Sequence, residues 1–187
     1  MFNDIASKLL TAGSIGVIPT DTVYGVVARA VDKTAVQRLY DVKHREGKPG
    51  TIIAASIQQL EELGLKHRYV KAVEQYWPGA LSVIIPCGPD LSYIHQGKFS
   101  LAVRLPDHPE LIHLLQQTGP LLTSSANHTT EPLSTTIIQA QNYFGSEVDF
   151  YVDGGDLSDN QPSTIIRIID DAVEVLRQGA VHIDNAD

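Results

Sequence analysis

Apolar positions along the chain alternate between short unbroken runs and three-to-four-residue spacing, and the alternation maps its elements. Ser14-Ile15-Gly16-Val17-Ile18 is apolar at nearly every position, the pattern of a strand buried on both faces, and Pro19 ends it because proline cannot donate to a ladder. Before it, Ile5, Leu9 and Leu10 share a face of a helix that Asn3 can cap and Gly13 stops. After it, Ala35, Leu39 and Val42 recur at helical spacing behind Asp32, which predicts a helix reaching about His44. Residues 51–55 read as a strand. Ser56 then caps a short helix with Leu60 and Leu63, and Tyr69, Val73 and Tyr76 predict another helix before Pro78-Gly79. Residues 81–85 and 101–105 read as strands, separated by a polar stretch with Pro89 and Gly97. A helix over 107–117 turns Leu111, Leu114 and Leu115 inward, and residues 120–123 form a short strand opening into a hydroxyl-rich loop. A helix near 137–144 and strands near 149–152, 163–169 and 173–176 complete the series. Strands and helices interleave without strict alternation. The expected fold is therefore α/β of α+β character, a mixed sheet flanked by helices rather than a doubly wound parallel one.

Composition narrows the setting. No repeat, low-complexity tract or Pro/Gly/Ser linker divides the 187 residues, so one domain over 1–187 is expected. No apolar run approaches the ~18–20 residues of a membrane span. The first ten residues place acid before base around no apolar core, unlike a secretory leader. Cys87 is the one cysteine, which leaves no intramolecular disulfide and fits a reducing compartment. A cytoplasmic protein without membrane attachment is the expectation. The formal net charge of −8 argues against a general polyanion binder, but its distribution is uneven. Residues 1–71 carry ten bases against seven acids, residues 72–146 two against five, and residues 147–187 two against ten. An anion site would draw mainly on the first segment.

Several chemistries lack their signatures. Gly47-Lys48 and Gly97-Lys98 are followed by Pro49 and Phe99, so neither is a Walker loop, and no Gly-x-Gly-x-x-Gly or Gly-x-Ser-x-Gly occurs. The seven histidines form no helical i, i+4 pair, so no protein-bound metal site is expected. Four clusters remain, each at a strand or helix end. They are residues 19–25 (Pro-Thr-Asp-Thr-Val-Tyr-Gly), residues 43–49 with Lys43, Arg45 and Lys48, residues 123–127 (Thr-Ser-Ser-Ala-Asn), and Pro162-Ser163-Thr164 with Arg177. Arginine and lysine neutralise phosphates or carboxylates, and hydroxyls with exposed amides at strand ends can hold phosphate oxygens. Each cluster alone equally suits helix capping or a turn. Arg104 is harder to explain that way. It stands between Val103 and Leu105, where a guanidinium must find an anion or bear a desolvation penalty.

These segments occur in one order with Trp77-Pro78-Gly79, residues 102–109 (Ala-Val-Arg-Leu-Pro-Asp-His-Pro), Asp153-Gly154-Gly155 and Leu176-Arg177-x-Gly179, and over about residues 5–180 the chain resembles the YrdC/TsaC family. Members are threonylcarbamoyl-AMP synthases, and the likeness is to the short, single-domain bacterial form, which lacks the second C-terminal domain of longer members. The resemblance implies a twisted open sheet with a deep, basic concave cavity. It also implies condensation of L-threonine with bicarbonate and attack of the carbamate on ATP, giving threonylcarbamoyl-adenylate and pyrophosphate as the first step of threonylcarbamoyladenosine formation in tRNA. Mg²⁺ would accompany ATP, and tRNA and downstream threonylcarbamoyl-transferase proteins are the further partners implied. By position, catalysis would fall to Lys43, Arg45 and Arg104. ATP would meet Lys43, Arg45, Ser100, Ser124, Ser134 and Arg177, and threonine would meet Thr22, Lys48, Arg104, Ala126 and Ser163. Ser125 and Asn127 complete the family's Ser-x-Asn signature. Two departures touch this site: Gly50 replaces a usual leucine, which is expected to loosen its loop, and His128-Thr129-Thr130 replaces a sequence that usually runs toward Ser-Gly. The alternative reading is an RNA-binding module of the same fold without catalysis, on tRNA or rRNA. Such binding would weaken steeply with salt, and the net acidity and 6% aromatic content weigh against it as the sole function.

Overall fold

The computed structural model describes residues 2, 4–170 and 172–183. Nine strands make one mixed sheet: β1 (Ile15–Pro19), β2 (Tyr24–Arg29), β3 (Thr51–Ile53), β4 (Leu81–Pro86), β5 (Ser100–Arg104), β6 (Leu121–Ser125), β7 (Phe150–Tyr151), β8 (Thr164–Ile169) and β9 (Ala172–Arg177). Their spatial order is β7-β1-β2-β6-β3-β5-β4-β8-β9. The pairs β1–β7, β3–β5 and β4–β8 run parallel and the other neighbours antiparallel, as the uneven interleaving of elements requires.

The helices are α1 (Ile5–Leu10), α2 (Lys33–Val42), α3 (Ile57–Glu62), α4 (His67–Lys71), α5 (Ser92–His95), α6 (Pro109–Thr118) and α7 (Ile137–Phe144). Side chains start most of them. Asp32 accepts from the Ala35 amide at 3.0 Å and, on its other oxygen, from the Gly13 amide at 2.7 Å, so one carboxylate caps α2 and holds the turn after α1. Ser56 caps α3, His108 caps α6 ahead of Pro109, and Thr136 caps α7. The cap expected from Asn3 lies outside the described residues. The helix expected through Tyr76 is shorter, with α4 ending at Lys71 and a single 3-10 turn following at Glu74–Tyr76. Strand β2 and the short α5 are additional to the expected elements.

Alternation along the strands separates two cores. On one face Ile15, Val17, Tyr24, Val26, Ile52, Val83 and Val103 pack beneath α2, α3, α4, α5 and α7 through Leu39, Leu60, Val70, Ile94 and Phe144. On the other, Ile18, Val27, Ile53, Leu121 and Phe150 meet Ile5 and Leu9 of α1 and Leu111, Leu114 and Leu115 of α6. Each such leucine or isoleucine, fully buried, stabilises the fold by roughly 2 kcal/mol. Helices α1 and α6 cover only part of that second face. Register places Thr123, Thr51, Ala102, Ile84 and Arg167 in one row across β6, β3, β5, β4 and β8 on the remainder. That uncovered row is the floor of a cavity.

Candidate functional site: a basic cavity on the open sheet face

The cavity measures about 430 Å³ and gathers loops from all four sequence clusters. Thr20, Thr22 and Gly25 form one wall, Ser124 and Ser125 at the end of β6 a second, and Pro162, Ser163 and Arg177 a third. Five cations line it, Arg45, Lys98, Arg104, Arg167 and Arg177, and none of the described lining residues is an aspartate or glutamate.

Arg104 sits at the inner end and is 3% exposed. Its Nη2 lies 3.1 Å from the Asp21 carboxylate, its Nη1 donates to Thr22 Oγ1 at 3.3 Å, and its Nε is buried without a partner in the protein. Burial lowers the Arg104 pKa, opposed by Asp21, and burial raises that of Asp21, opposed by Arg104. Thr22 is itself oriented: Thr20 Oγ1 donates to the Val23 carbonyl at 2.7 Å, so it accepts from the Thr22 hydroxyl at 3.0 Å. Arg177 donates twice to the Ser163 carbonyl, at 3.0 and 2.6 Å, and once to its hydroxyl at 3.0 Å. Its pKa is lowered first by burial, then by the charges of Arg104 and Arg45. Arg45 donates to Ser124 Oγ at 2.8 Å. Three guanidiniums thus crowd one partly desolvated space, with Asp21 against Arg104 and, at the rim, Glu174 paired with Arg167 at 2.6 Å. Such a site favours a ligand of several negative charges.

Of the residues singled out from sequence, Thr22, Arg45, Ser100, Arg104, Ser124, Ser125, Ser163 and Arg177 converge on the cavity. Five stand outside its lining. Lys48 is exposed on the neighbouring loop. Ala126 and Asn127 are buried in the turn after β6, where Asn127 Oδ1 accepts from Ser125 Oγ at 2.7 Å. Ser134 is buried and donates to the Ala126 carbonyl. Lys43 is buried behind the same turn, its ammonium on the carbonyls of Ser125 and Asn127. The Asp153-Gly154-Gly155 motif latches a wall in place: Tyr24 accepts from the Gly154 amide and donates to the Gly155 carbonyl, both at 2.8 Å.

Sequence reasoning missed Asp21 as the counter-charge of Arg104, and it missed Lys98 and Arg167 as lining cations. Residues 19–25 stand out in the sequence for their hydroxyls, and an arginine in an apolar strand is the signal that an acid must lie near. Gly50 does not loosen its loop. It is buried, its amide donates to the Tyr40 hydroxyl at 3.3 Å, and a Cβ there would meet the Thr123 carbonyl at 2.6 Å. His128 turns away from the cavity and donates to the Tyr143 carbonyl of α7 at 3.0 Å. No group of three or more His, Cys, Asp or Glu side chains among the described residues is placed to hold a metal ion. No described helix is long and apolar enough to cross a membrane.

Known proteins resemble the chain in sequence and in fold. A family model described as Telomere recombination, Sua5/YciO/YrdC, matches residues 8–179. A threonylcarbamoyl-AMP synthase of Bacillus subtilis is 34% identical over 182 residues, which is 94% of this chain and 53% of that protein. The Klebsiella pneumoniae protein of that name is 35% identical over 168 residues, covering 86% of this chain and 87% of its own. Among solved structures, Pyrococcus abyssi Sua5 complexed with L-threonine superposes with a TM-score of 0.82 at 29% identity, over 94% of this chain and 53% of that one. Escherichia coli YciO, at 21% identity and a TM-score of 0.80, shares the fold. This chain therefore spans about half the length of the Bacillus and Pyrococcus proteins and most of the Klebsiella one. With the family model matching most of the chain and relatives at 34–35% identity, the chain belongs to the Sua5/YciO/YrdC family.

Proposed function

We propose that the cavity binds L-threonine and ATP and that the chain is a threonylcarbamoyl-AMP synthase, a nucleotidyltransferase of the cytoplasm. The observation that carries this reading is the crowding of Arg45, Arg104 and Arg177 around a space whose described lining has no carboxylate. Relatives of that name and the threonine complex of Pyrococcus abyssi Sua5 support it.

On this reading the threonine amine attacks bicarbonate, a C–N bond forms and water leaves. A carbamate oxygen then attacks the α-phosphorus of ATP, and the bond to the departing pyrophosphate breaks. Little covalent work falls to the protein, and catalysis rests on positioning and on neutralising charge. Arg104 takes the threonine carboxylate or the developing carbamate, beside Thr22 and Ser163, with Lys48 and the Ala126 backbone assigned to the margin of that pocket. Arg45, Ser100, Ser124 and Arg177 take the nucleotide, and Lys43 and Ser134 support it around the turn that Ser125 and Asn127 complete. Magnesium enters with the triphosphate as part of the substrate. The adenylate product serves tRNA modification through a downstream transferase.

The test is pyrophosphate release from MgATP. Release that requires both L-threonine and bicarbonate, and that falls by two orders of magnitude or more in a folded Arg104→Ala variant, is the expected result. Release indifferent to threonine and bicarbonate, beside an active synthase as control, would overturn the reading.

A further inference from the structure

Two residues apart after α2, Lys43 and Arg45 reach the end of β6 from opposite sides. Arg45 comes from the cavity and donates to the Ser124 hydroxyl at 2.8 Å. Lys43 comes from behind. It is 2% exposed, lies outside the lining, and donates to the carbonyls of Ser125, at 2.6 Å, and Asn127. Its Nζ also stands 5.8 Å from the centre of the Phe144 ring of α7. Two of the ammonium's three N–H groups are thus spent on main chain, and the third side meets an aromatic face.

The turn needs this clamp. After β6 the chain leaves the ladder with the Ala126 amide donating a hydrogen bond to the Tyr24 carbonyl at 2.8 Å, and then closes on itself. Ser125 Oγ donates to Asn127 Oδ1, Asn127 Nδ2 donates to the Glu131 carbonyl at 2.7 Å, and Ser134 Oγ donates to the Ala126 carbonyl. These bonds shape the turn but are local to it. Lys43, assisted by Thr129 Oγ1 on the Lys43 carbonyl at 3.4 Å, ties the turn to α2. An ammonium withdrawn from water is costly unless its donors are used, so the two carbonyls fix its place. Burial, and next the nearby charge of Arg45, bring the Lys43 pKa down to about 7. A contact with a ligand in the cavity would draw the ammonium away from the carbonyls that hold it.

We infer that Lys43 is a positioning residue, which acts on the cavity's anionic ligand through the turn it clamps, holding the strand end that carries Ser124 and Ser125 in place without contacting the ligand. Only the identity of the ligand rests on the function proposed above.

The experiment compares wild type with Lys43→Met, which keeps the stem and loses the donors, and Lys43→Arg, which restores them. Amide hydrogen exchange of residues 123–131 is read without ligand, and binding of MgADP and of L-threonine by calorimetry. Expected for Lys43→Met are at least tenfold faster exchange in the turn, at least tenfold weaker MgADP binding, and threonine binding within threefold. Lys43→Arg should recover the exchange and most of the MgADP affinity. Weakened MgADP binding with an unchanged turn would overturn the inference in favour of direct contact, and an unchanged turn with unchanged binding would overturn it outright. Should Lys43→Met not fold, the wild-type Lys43 ammonium decides by NMR. Protection from exchange that MgADP leaves unaltered supports the clamp, and a free or ligand-shifted ammonium refutes it. If wild type fails to bind MgADP, the nucleotide reading falls, while the exchange of the turn still decides the role of Lys43.

Discussion

Arg104 and Asp21 have both been withdrawn from water, with side chains 3% and 5% exposed and charged atoms 3.1 Å apart. A buried pair adds little net stability, but losing one partner leaves a desolvated charge unmatched. Asp21→Asn keeps the shape and removes the counter-charge, so we expect a loss of roughly 3 kcal/mol in urea unfolding. In the folded fraction we expect L-threonine to bind at least tenfold more weakly while MgADP binding stays within threefold. Equal weakening of both ligands would mean that Asp21 serves the fold and not the aim of Arg104. This pair also marks what single residues revealed in advance. An arginine between Val103 and Leu105 announced a buried charge with an obligation, so Arg104 was legible. Its acid was not, because Asp21 belongs to the turn between β1 and β2, with two strands between β2 and β5 in the sheet, and only the folded chain brings that turn to Arg104.

At the scale of elements, the pattern found those with one exposed face, a clear cap or an apolar run with a clear end, and missed β2 and α5. All residues of β2 but the last are buried, and Tyr24-Gly25 reads as the tail of the Pro19–Thr22 turn cluster, so neither alternation nor a polar boundary announces the strand. The direction of Lys43 was hidden for a related reason. It follows the last turn of α2 in a cluster with Arg45, and spacing alone does not say which of two neighbouring cations crosses behind a strand. The turn from β6 to α7 carries a further strain. Thr130 has φ of +75°, a left-handed conformation in which a β-branched side chain costs about 1–2 kcal/mol. It is exposed and falls in the segment where family members usually run toward Ser-Gly. Thr130→Gly relieves the strain against an added unfolding entropy of about 0.5–1 kcal/mol, so a net gain of about 0.5–1 kcal/mol is expected. Urea midpoints with an unchanged denaturant slope provide the check. A loss of stability would show that the threonine side chain contributes a contact that offsets its backbone cost.

For the molecule as a whole, a formal charge of −8 coexists with a cavity lined by five cations, because folding concentrates what the sequence only loosely groups. Arg45 comes from the net-positive first segment, whereas Lys98, Arg104, Arg167 and Arg177 are the four bases of the two net-acidic ones. Charge counting along the chain therefore located Arg45 and understated the site. In the cavity Arg177 is lowered first by burial and then by the charges of Arg104 and Arg45. A polyanion relieves that repulsion in the folded chain and finds no equivalent site in the unfolded one, so it must stabilise. At a hundred times its dissociation constant, inorganic triphosphate should add about 2.7 kcal/mol, or roughly 5–10 °C in Tm for a chain of this size. The shift should be absent for Arg45→Gln with Arg177→Gln and should shrink as sodium chloride rises from 0.05 to 0.5 M, on the order of one Debye-length halving or more. Calorimetric scans of both proteins across that range decide it. An equal shift in the double variant would place the anion elsewhere on the surface, and the convergence of these arginines would then lose its meaning as a binding site.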